Sequence, residues 1–171
     1  MYHNVIVIGG GASGIVTSIA AKDRGLDVAI LESNERIGKK ILTTGNGRCN
    51  ITNKNISPSR YHSSNKNFFN HILNSFSITD TINFFYSLGL PITELDHGKM
   101  YPMSLQASSV LDILRLALDE REIPIYFNSK VKSIKKTNNR FQLTTTDENI
   151  FYCDKLILGC GGKSAPNTGS D

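Results

Sequence analysis

Only three of the 171 residues are cysteine, Cys49, Cys153 and Cys160, and no two of them form a CxxC pair. That spacing argues against a zinc site and against a disulfide framework, and reduced thiols suit a cytosolic chain. No apolar run approaches the ~18 residues that a membrane-spanning helix needs. The start, Met1-Tyr2-His3-Asn4, carries no lysine or arginine, and the apolar stretch behind it breaks at once into glycines, unlike a signal peptide. The expectation is a cytoplasmic protein with no membrane partner. No internal repeat or low-complexity tract is present. A large excess of one charge sign is also lacking: the net charge is +4. The lysines between 130 and 136 alternate with apolar residues, as on a solvated strand face. A nucleic-acid partner is not expected, because binding an anionic cofactor explains the balance equally well.

What is present is an ordinary globular mixture, 39% hydrophobic and 20% charged, enough for one core. The order of elements points to an α/β fold. Asn4 to Ile8 reads as a short, β-branched, continuously apolar strand, the style of a parallel strand buried on both faces. Ser13 to Arg24 is helix-compatible, with Ile15, Val16, Ile19 and Ala20 to one side and Gly25 as a stop. Asp27 to Leu31 is a second buried strand, which completes a unit the size of a βαβ crossover.

Residues 33 to 66 show little periodicity and read as a long ordered loop with a functional role. Helices are expected near 66–75 and 79–88, the second capped by Ser77, with Asp80 in its first turn and Gly89 ending it. Glu94-Leu95 and Lys99 to Tyr101 flank a turn at Asp96-His97-Gly98. Ser104 can cap an amphipathic helix that runs to about Arg121. After Pro124 come a strand at 125–127 and an antiparallel meander of three strands, 131–136, 141–146 and 150–153. A separate buried strand, Lys155 to Gly159, ends in Cys160-Gly161-Gly162.

Between the first strand and the first helix lies Gly9-Gly10-Gly11-Ala12-Ser13-Gly14, a G-x-G-x-x-G pattern in the strand–turn–helix setting that the pattern requires. Gly9 takes the tight turn, Gly11 lets a pyrophosphate approach the backbone, and Gly14 lets the helix pack against the sheet. The helix N-terminus then offers free N–H groups and partial positive charge to phosphates. Glu32 ends the second strand, 18 residues past Gly14. A carboxylate there can accept from the ribose hydroxyls of an adenosine and repels a 2′-phosphate.

The fingerprint alone does not separate FAD from NAD. The later order does more: an excursion, a meander and a last buried strand ending in Gly-Gly resemble the plan of FAD domains. Gly38 to Asn53, with Thr44-Gly45-Asn46-Gly47-Arg48-Cys49-Asn50 at its centre, resembles the hallmark of the BaiN-like group of bacterial FAD-dependent oxidoreductases, which includes aminoacetone oxidases. Lys99-Met100-Tyr101-Pro102 with Ser104 and Ala107 to Val110 is similar to its second signature. Gly161-Gly162-Lys163-Ser164 with Pro166, Thr168, Gly169 and Ser170 is similar to its third, with Ala165 where an aromatic is usual.

The resemblance covers essentially the whole chain. It implies a Rossmann-like FAD-binding domain over residues 1–171, a central parallel sheet with an antiparallel β-meander. Members of the group are considerably longer, so a truncated chain is expected, without the inserted substrate domain and the C-terminal return. It further implies FAD held by Gly9, Gly11, Ala12, Ser13 and Gly14, with Glu32 on the ribose. Lys39, Asn46, Gly47, Arg48, Cys49 and Asn50 would lie along the pyrophosphate, ribityl chain and flavin. Val131 would offer a backbone contact to the adenine edge, and Gly161 would lie in the last glycine turn.

The implied activity is hydride transfer between flavin and a small organic substrate or NAD(P)H. The alternative is a module that binds FAD or ADP without turnover. Individual residues keep two readings. Arg48 is either a planar fork for an anion or an ion-pair partner. Cys49 is either a redox thiol or a small packed residue. Lys39 and Lys40 are either cofactor contacts or solvated charges. His97 reads as a turn residue and Cys160 as filler at a tight strand end. No residue stands out as a general base, and the oligomeric state is open.

Overall fold

The computed structural model describes residues 1–65 and 68–162. The chain divides into two compact units, residues 1–41 with 114–171, and residues 42–113.

The first unit is built on a six-stranded sheet. β1 (Tyr2–Ile8) leads through α1 (Ala12–Lys22) to β2 (Val28–Leu31), as the apolar pattern predicts. β1 and β2 run parallel, with Val5 opposite Val28 and Ile8 opposite Leu31. The later elements are numbered in chain order. β6 (Ile125–Tyr126), β7 (Val131–Thr137), β8 (Arg140–Thr145) and β9 (Ile150–Leu158) complete the sheet, in the order β6-β2-β1-β9-β8-β7. β6 is parallel to β2, and β9 is parallel to β1. β7, β8 and β9 form the expected antiparallel meander.

The sequence suggests two strands, at 150–153 and 155–159; the structure has one. β9 runs unbroken for nine residues. Ile150 to Cys153 pair antiparallel with β8, while Tyr152 to Leu158 pair parallel with β1. The polar pair Asp154-Lys155 looks like a break but is only the point where the strand leaves β8.

Two apolar layers hold this unit. On one face α1 buries Ile15 and Ile19. On the other, Ile6, Leu31, Leu143, Phe151 and Cys153 form one buried cluster, with Tyr126 and Val131 packed against it. Phe151 meets Tyr126 edge-on, ring centroids 4.9 Å apart. These two residues come from strands separated by β2 and β1, so the meander curls back over the sheet. Burial pushes the Cys153 thiol up from its ordinary pKa. At the outer edge, β7 exposes most of its length, including Lys135 and Lys136. Lys132 pairs with Glu148.

The second unit contains a small antiparallel sheet of β3 (Thr52–Asn53), β4 (Ile92–Glu94) and β5 (Lys99–Pro102), with β5 central. The 33–66 stretch is thus less irregular than its composition suggests. It holds α2 (Lys39–Thr43), a 3₁₀ turn at Thr44–Gly47, β3 and a second 3₁₀ turn at Pro58–Arg60. β3 forms because Thr52 lies opposite Met100, a pairing 48 residues apart that no local pattern reveals.

α3 (Asn70–Ser75) and α4 (Ile78–Ser87) follow. The first two residues of the helix expected from 66 lie outside the described residues. The α4 cap matches expectation. Asp80 N–H donates to Ser77 Oγ, and Ser77 N–H donates back to the Asp80 carboxylate at 2.7 Å. His97 is the turn residue the sequence suggests, at φ 60°. α5 (Ala107–Glu120) starts three residues after Ser104. Ser104 Oγ accepts from the Gln106 N–H and donates to Ser109 Oγ, so it organises the lead-in turn rather than capping the helix.

Phe151→Ala is expected to destabilise the first unit by about 3–5 kcal/mol, the usual cost of emptying a large buried aromatic site; a urea titration followed by circular dichroism measures it. A second expectation concerns pH. Hydrogen bonds from the Ser77 side chain, then its backbone, hold the Asp80 carboxyl below its ordinary 3.8. Its stabilising contribution is therefore full above that value and lost as pH falls through the lower folded value. Asp80→Asn is expected to flatten the acid limb of a melting-temperature profile; an unchanged limb contradicts the assignment.

Candidate functional site

Ile8, Leu31 and Leu158 stand side by side where three neighbouring parallel strands end. Each strand hands the chain to a polar or glycine-rich segment: Gly9–Gly14 after β1, Glu32 after β2, and Gly159–Gly161 after β9. Open α/β sheets bind ligands at this end.

The glycines interlock through their backbones. A Cβ on Gly14 would overlap the Gly9 carbonyl oxygen, and one on Gly9, itself at φ 103°, would lie 2.5 Å from the Gly159 carbonyl oxygen. These contacts bring the start of α1 down onto the ends of β1 and β9. Gly10, an unspecified position in the sequence pattern, is equally constrained: its Cβ would overlap the Ile37 side chain. Gly11 is different. A Cβ there meets nothing within 4 Å.

Gly11 is also the N-cap of α1, in an extended conformation, with no side-chain cap and no acid in the first turn. A helix start left without such partners keeps N–H donors available to an anion. Ala12 and Ser13 form that first turn and are exposed.

Glu32 is 7% exposed. Its Oε2 accepts from the Gly10 N–H at 2.7 Å. Its Oε1 accepts from the Asn34 N–H at 2.8 Å, from Asn34 Nδ2 at 2.6 Å and from Ser33 Oγ at 3.2 Å. Lys39 Nζ donates to Asn34 Oδ1 at 2.8 Å. Lys39, Asn34, Glu32 and Gly10 thus form one chain of hydrogen bonds from an ammonium to the glycine turn. Sequence reasoning singled out Glu32 and Lys39 and missed Asn34 between them, since no motif spacing marks it.

The backbone beside Glu32 is tied to the segment before β7. Ser129 N–H donates to Glu32 O at 2.8 Å, and Asn128 N–H to Asn34 O at 3.1 Å. Val131 begins β7 two residues on, half-buried, at a register shift. Gly161 has φ 87°, and a Cβ there would lie 3.2 Å from Lys40 Nζ. The third-signature positions 163–170 lie outside the described residues.

The 45–50 loop belongs to the second unit. Gly45, Asn46, Gly47 and Cys49 all have positive φ, between 55° and 79°. Gly45 has no room for a side chain, because a Cβ would lie 2.7 Å from the Asn50 backbone nitrogen. Arg48 stacks its guanidinium 5.1 Å from the Tyr101 ring centroid, and Nε donates to Gly45 O at 3.4 Å. Among the described residues no carboxylate engages it. The Asn50 amide donates to Thr52 O at 2.9 Å and Met100 O at 3.2 Å, which pins the loop to its own small sheet. Cys49 is buried, and burial raises its thiol above the ordinary value, partly offset by a hydrogen bond with Thr44. That favours a packed neutral thiol over a redox nucleophile. Among the described residues no cluster of three or more His, Cys, Asp or Glu side chains could hold a metal ion. No described helix is long and apolar enough to cross a membrane.

The glycines make separable predictions. Gly14→Ala is expected to lower stability by about 1–3 kcal/mol, as overpacking does, whereas Gly11→Ala leaves the urea midpoint unchanged. Equal effects of the two would contradict the geometry above. Ellman's reagent is expected to modify Cys160, which is exposed, well before Cys49 or Cys153, both buried.

Comparison with known proteins agrees with this architecture. Over 171 residues the chain is 45% identical to a 3-dehydro-bile acid delta(4,6)-reductase of Clostridium scindens, a match that covers 99% of this chain and 41% of that protein. It is 30% identical over 167 residues to a ribosomal RNA dihydrouridine synthase of Escherichia coli, covering 98% of this chain and again 41% of the relative. The chain thus spans about two fifths of the length of these curated relatives. Among solved structures, the open conformation of a flavocytochrome c3 fumarate reductase matches with a TM-score of 0.61 at 17% identity, covering 94% of this chain and 34% of that one. Residues 3–171 match the family described as HI0933-like protein Rossmann domain, and the chain belongs to that family.

Proposed function

We propose that this chain is the FAD-binding portion of an oxidoreductase. The observation that carries the reading is the bond between Gly10 N–H and Glu32 Oε2, which joins a glycine turn and a buried acid at the ends of adjacent parallel strands. The residues present fit the ADP half of FAD. Gly11 leaves open space before the uncapped start of α1, where the N–H groups of the first turn suit a pyrophosphate. Glu32 suits the ribose, and the backbone near Val131 suits the adenine edge. For the flavin half, the reading assigns Asn46, Gly47, Arg48 and Cys49 from the motif they resemble. Asn50 would act indirectly, because its amide is committed to Thr52 and Met100.

The names of the two relatives support redox chemistry. A delta(4,6)-reductase and a dihydrouridine synthase both add hydrogen across a double bond, one on a bile acid and one on a base of ribosomal RNA. What this chain shares with both is therefore read as the machinery that holds the cofactor, while the substrate is chosen elsewhere. When bound, FAD supplies two-electron, hydride-accepting chemistry, with NAD(P)H or an organic molecule as the donor. The chain's own residues bind and orient: α1 and the glycine turn neutralise phosphate charge, and Glu32 fixes the sugar.

The test is direct. The purified chain is expected to bind FAD and turn yellow, and Glu32→Ala is expected to weaken FAD binding about tenfold or more, since hydrogen bonds to charged groups contribute about 1.5–3 kcal/mol. Unchanged affinity in that variant removes the ribose role. A yellow protein that neither NAD(P)H nor any tested substrate bleaches favours a binding module without turnover.

A further inference from the structure

We propose that Asn34 is a positioning residue that determines ribose specificity, acting as both lock and spacer for Glu32. The inference rests on the cofactor reading above and concerns the ADP moiety only.

The argument is one of hydrogen-bond accounting. A carboxylate offers about four lone-pair sites over two oxygens. Oε1 of Glu32 already takes three donors, two of them from Asn34. Among the described residues Oε2 takes the Gly10 N–H alone, so it keeps an acceptor site. The carboxylate is pinned at both ends, with one oxygen left to receive a hydroxyl. A pinned acceptor discriminates better than a mobile one because less ordering is left for the ligand to drive.

Asn34 also separates charges. Its Oδ1 faces the Lys39 ammonium, a pure donor, and its Nδ2 faces a carboxylate, a pure acceptor. Of the side chains of this length, only an amide satisfies both. An acid would repel Glu32, and an alkyl group would leave Lys39 without its acceptor. With Asn34 in place, Lys39 is held one amide away from Glu32. Without it, the flexible lysine can pair directly with the carboxylate. That pairing would occupy the free lone pair and cancel the charge that repels a 2′-phosphate.

The experiment measures dissociation constants of the full chain for ADP, 2′-deoxy-ADP and 2′-phospho-ADP, in the wild type, Asn34→Ala, Asn34→Ala/Lys39→Met and Glu32→Ala. Asn34→Ala is expected to weaken ADP about fivefold to tenfold and to shrink its preference over both analogues by a similar factor, as loss of one charge-assisted contact implies. The double variant is expected to recover part of the preference, since the competing ammonium is gone. Recovery is a readout that a merely structural role for Asn34 would not produce. If Asn34→Ala keeps the wild-type preference, or binds ADP more tightly, while Glu32→Ala loses it, the inference falls and the cofactor reading stands. If the wild type shows no preference among the three, or Glu32→Ala changes nothing, both fall. Matching near-ultraviolet circular dichroism of wild type and variants confirms that folded proteins are compared. Should Asn34→Ala not fold, Asn34→Ser, which keeps a short polar group but cannot bridge both partners, carries the same expectations.

Discussion

The candidate site depends on backbone touching backbone at three glycines. Gly14 rests against the Gly9 carbonyl, and Gly9 rests against Gly159. No side chain of any size fits between them. The contact joins the first strand–helix turn to the last strand of the described sheet, segments about 150 residues apart in sequence. Hydrophobic burial around Ile6, Leu31 and Phe151 brings the strands together, but burial alone leaves the helix free to sit higher or lower. The absent Cβ atoms set its height, and with it the position of the N–H groups that α1 offers.

Glu32 works on both sides of this arrangement. It is a nearly buried acid whose first partner is not a ligand but the Gly10 amide. The same carboxylate that the cofactor reading places on a ribose therefore also fixes the shape of the glycine turn. The polar chain from Lys39 through Asn34 meets the requirement that a buried charge be hydrogen-bonded. It also makes the proposed sugar and phosphate subsites parts of one hydrogen-bonded chain.

How much of this was legible in the sequence varies with range. β1, α1 and β2 could be read from residues 4 to 31 because their signals are local: a β-branched run, a glycine turn and a helical period. The capping pair Ser77 and Asp80 was legible for the same reason. β9 was split in two because Asp154-Lys155 looks like a loop; only its long-range pairing with β1 shows that it is one strand. β3 was invisible because two residues become a strand only when Met100 and Lys99 lie opposite them. Gly10 and Asn34 were missed for a related reason. One is constrained by Ile37 and the other by Lys39, and neither partner stands at a spacing that any motif records. Family membership was legible from the Gly38 to Asn53 block, which neither periodicity nor composition could have supplied.

The outermost strand has a consequence of its own. Among the described residues β7 is an outer strand of the sheet, and an open strand edge is the kind of border onto which a second copy could graft its own strand. Two such borders laid together would bring the ammonium groups of Lys135 and Lys136 against their counterparts. In water of low ionic strength that repulsion opposes continuation of the sheet from molecule to molecule, and added salt weakens the barrier. The lysines of this solvated strand face thus also oppose stacking into ribbons.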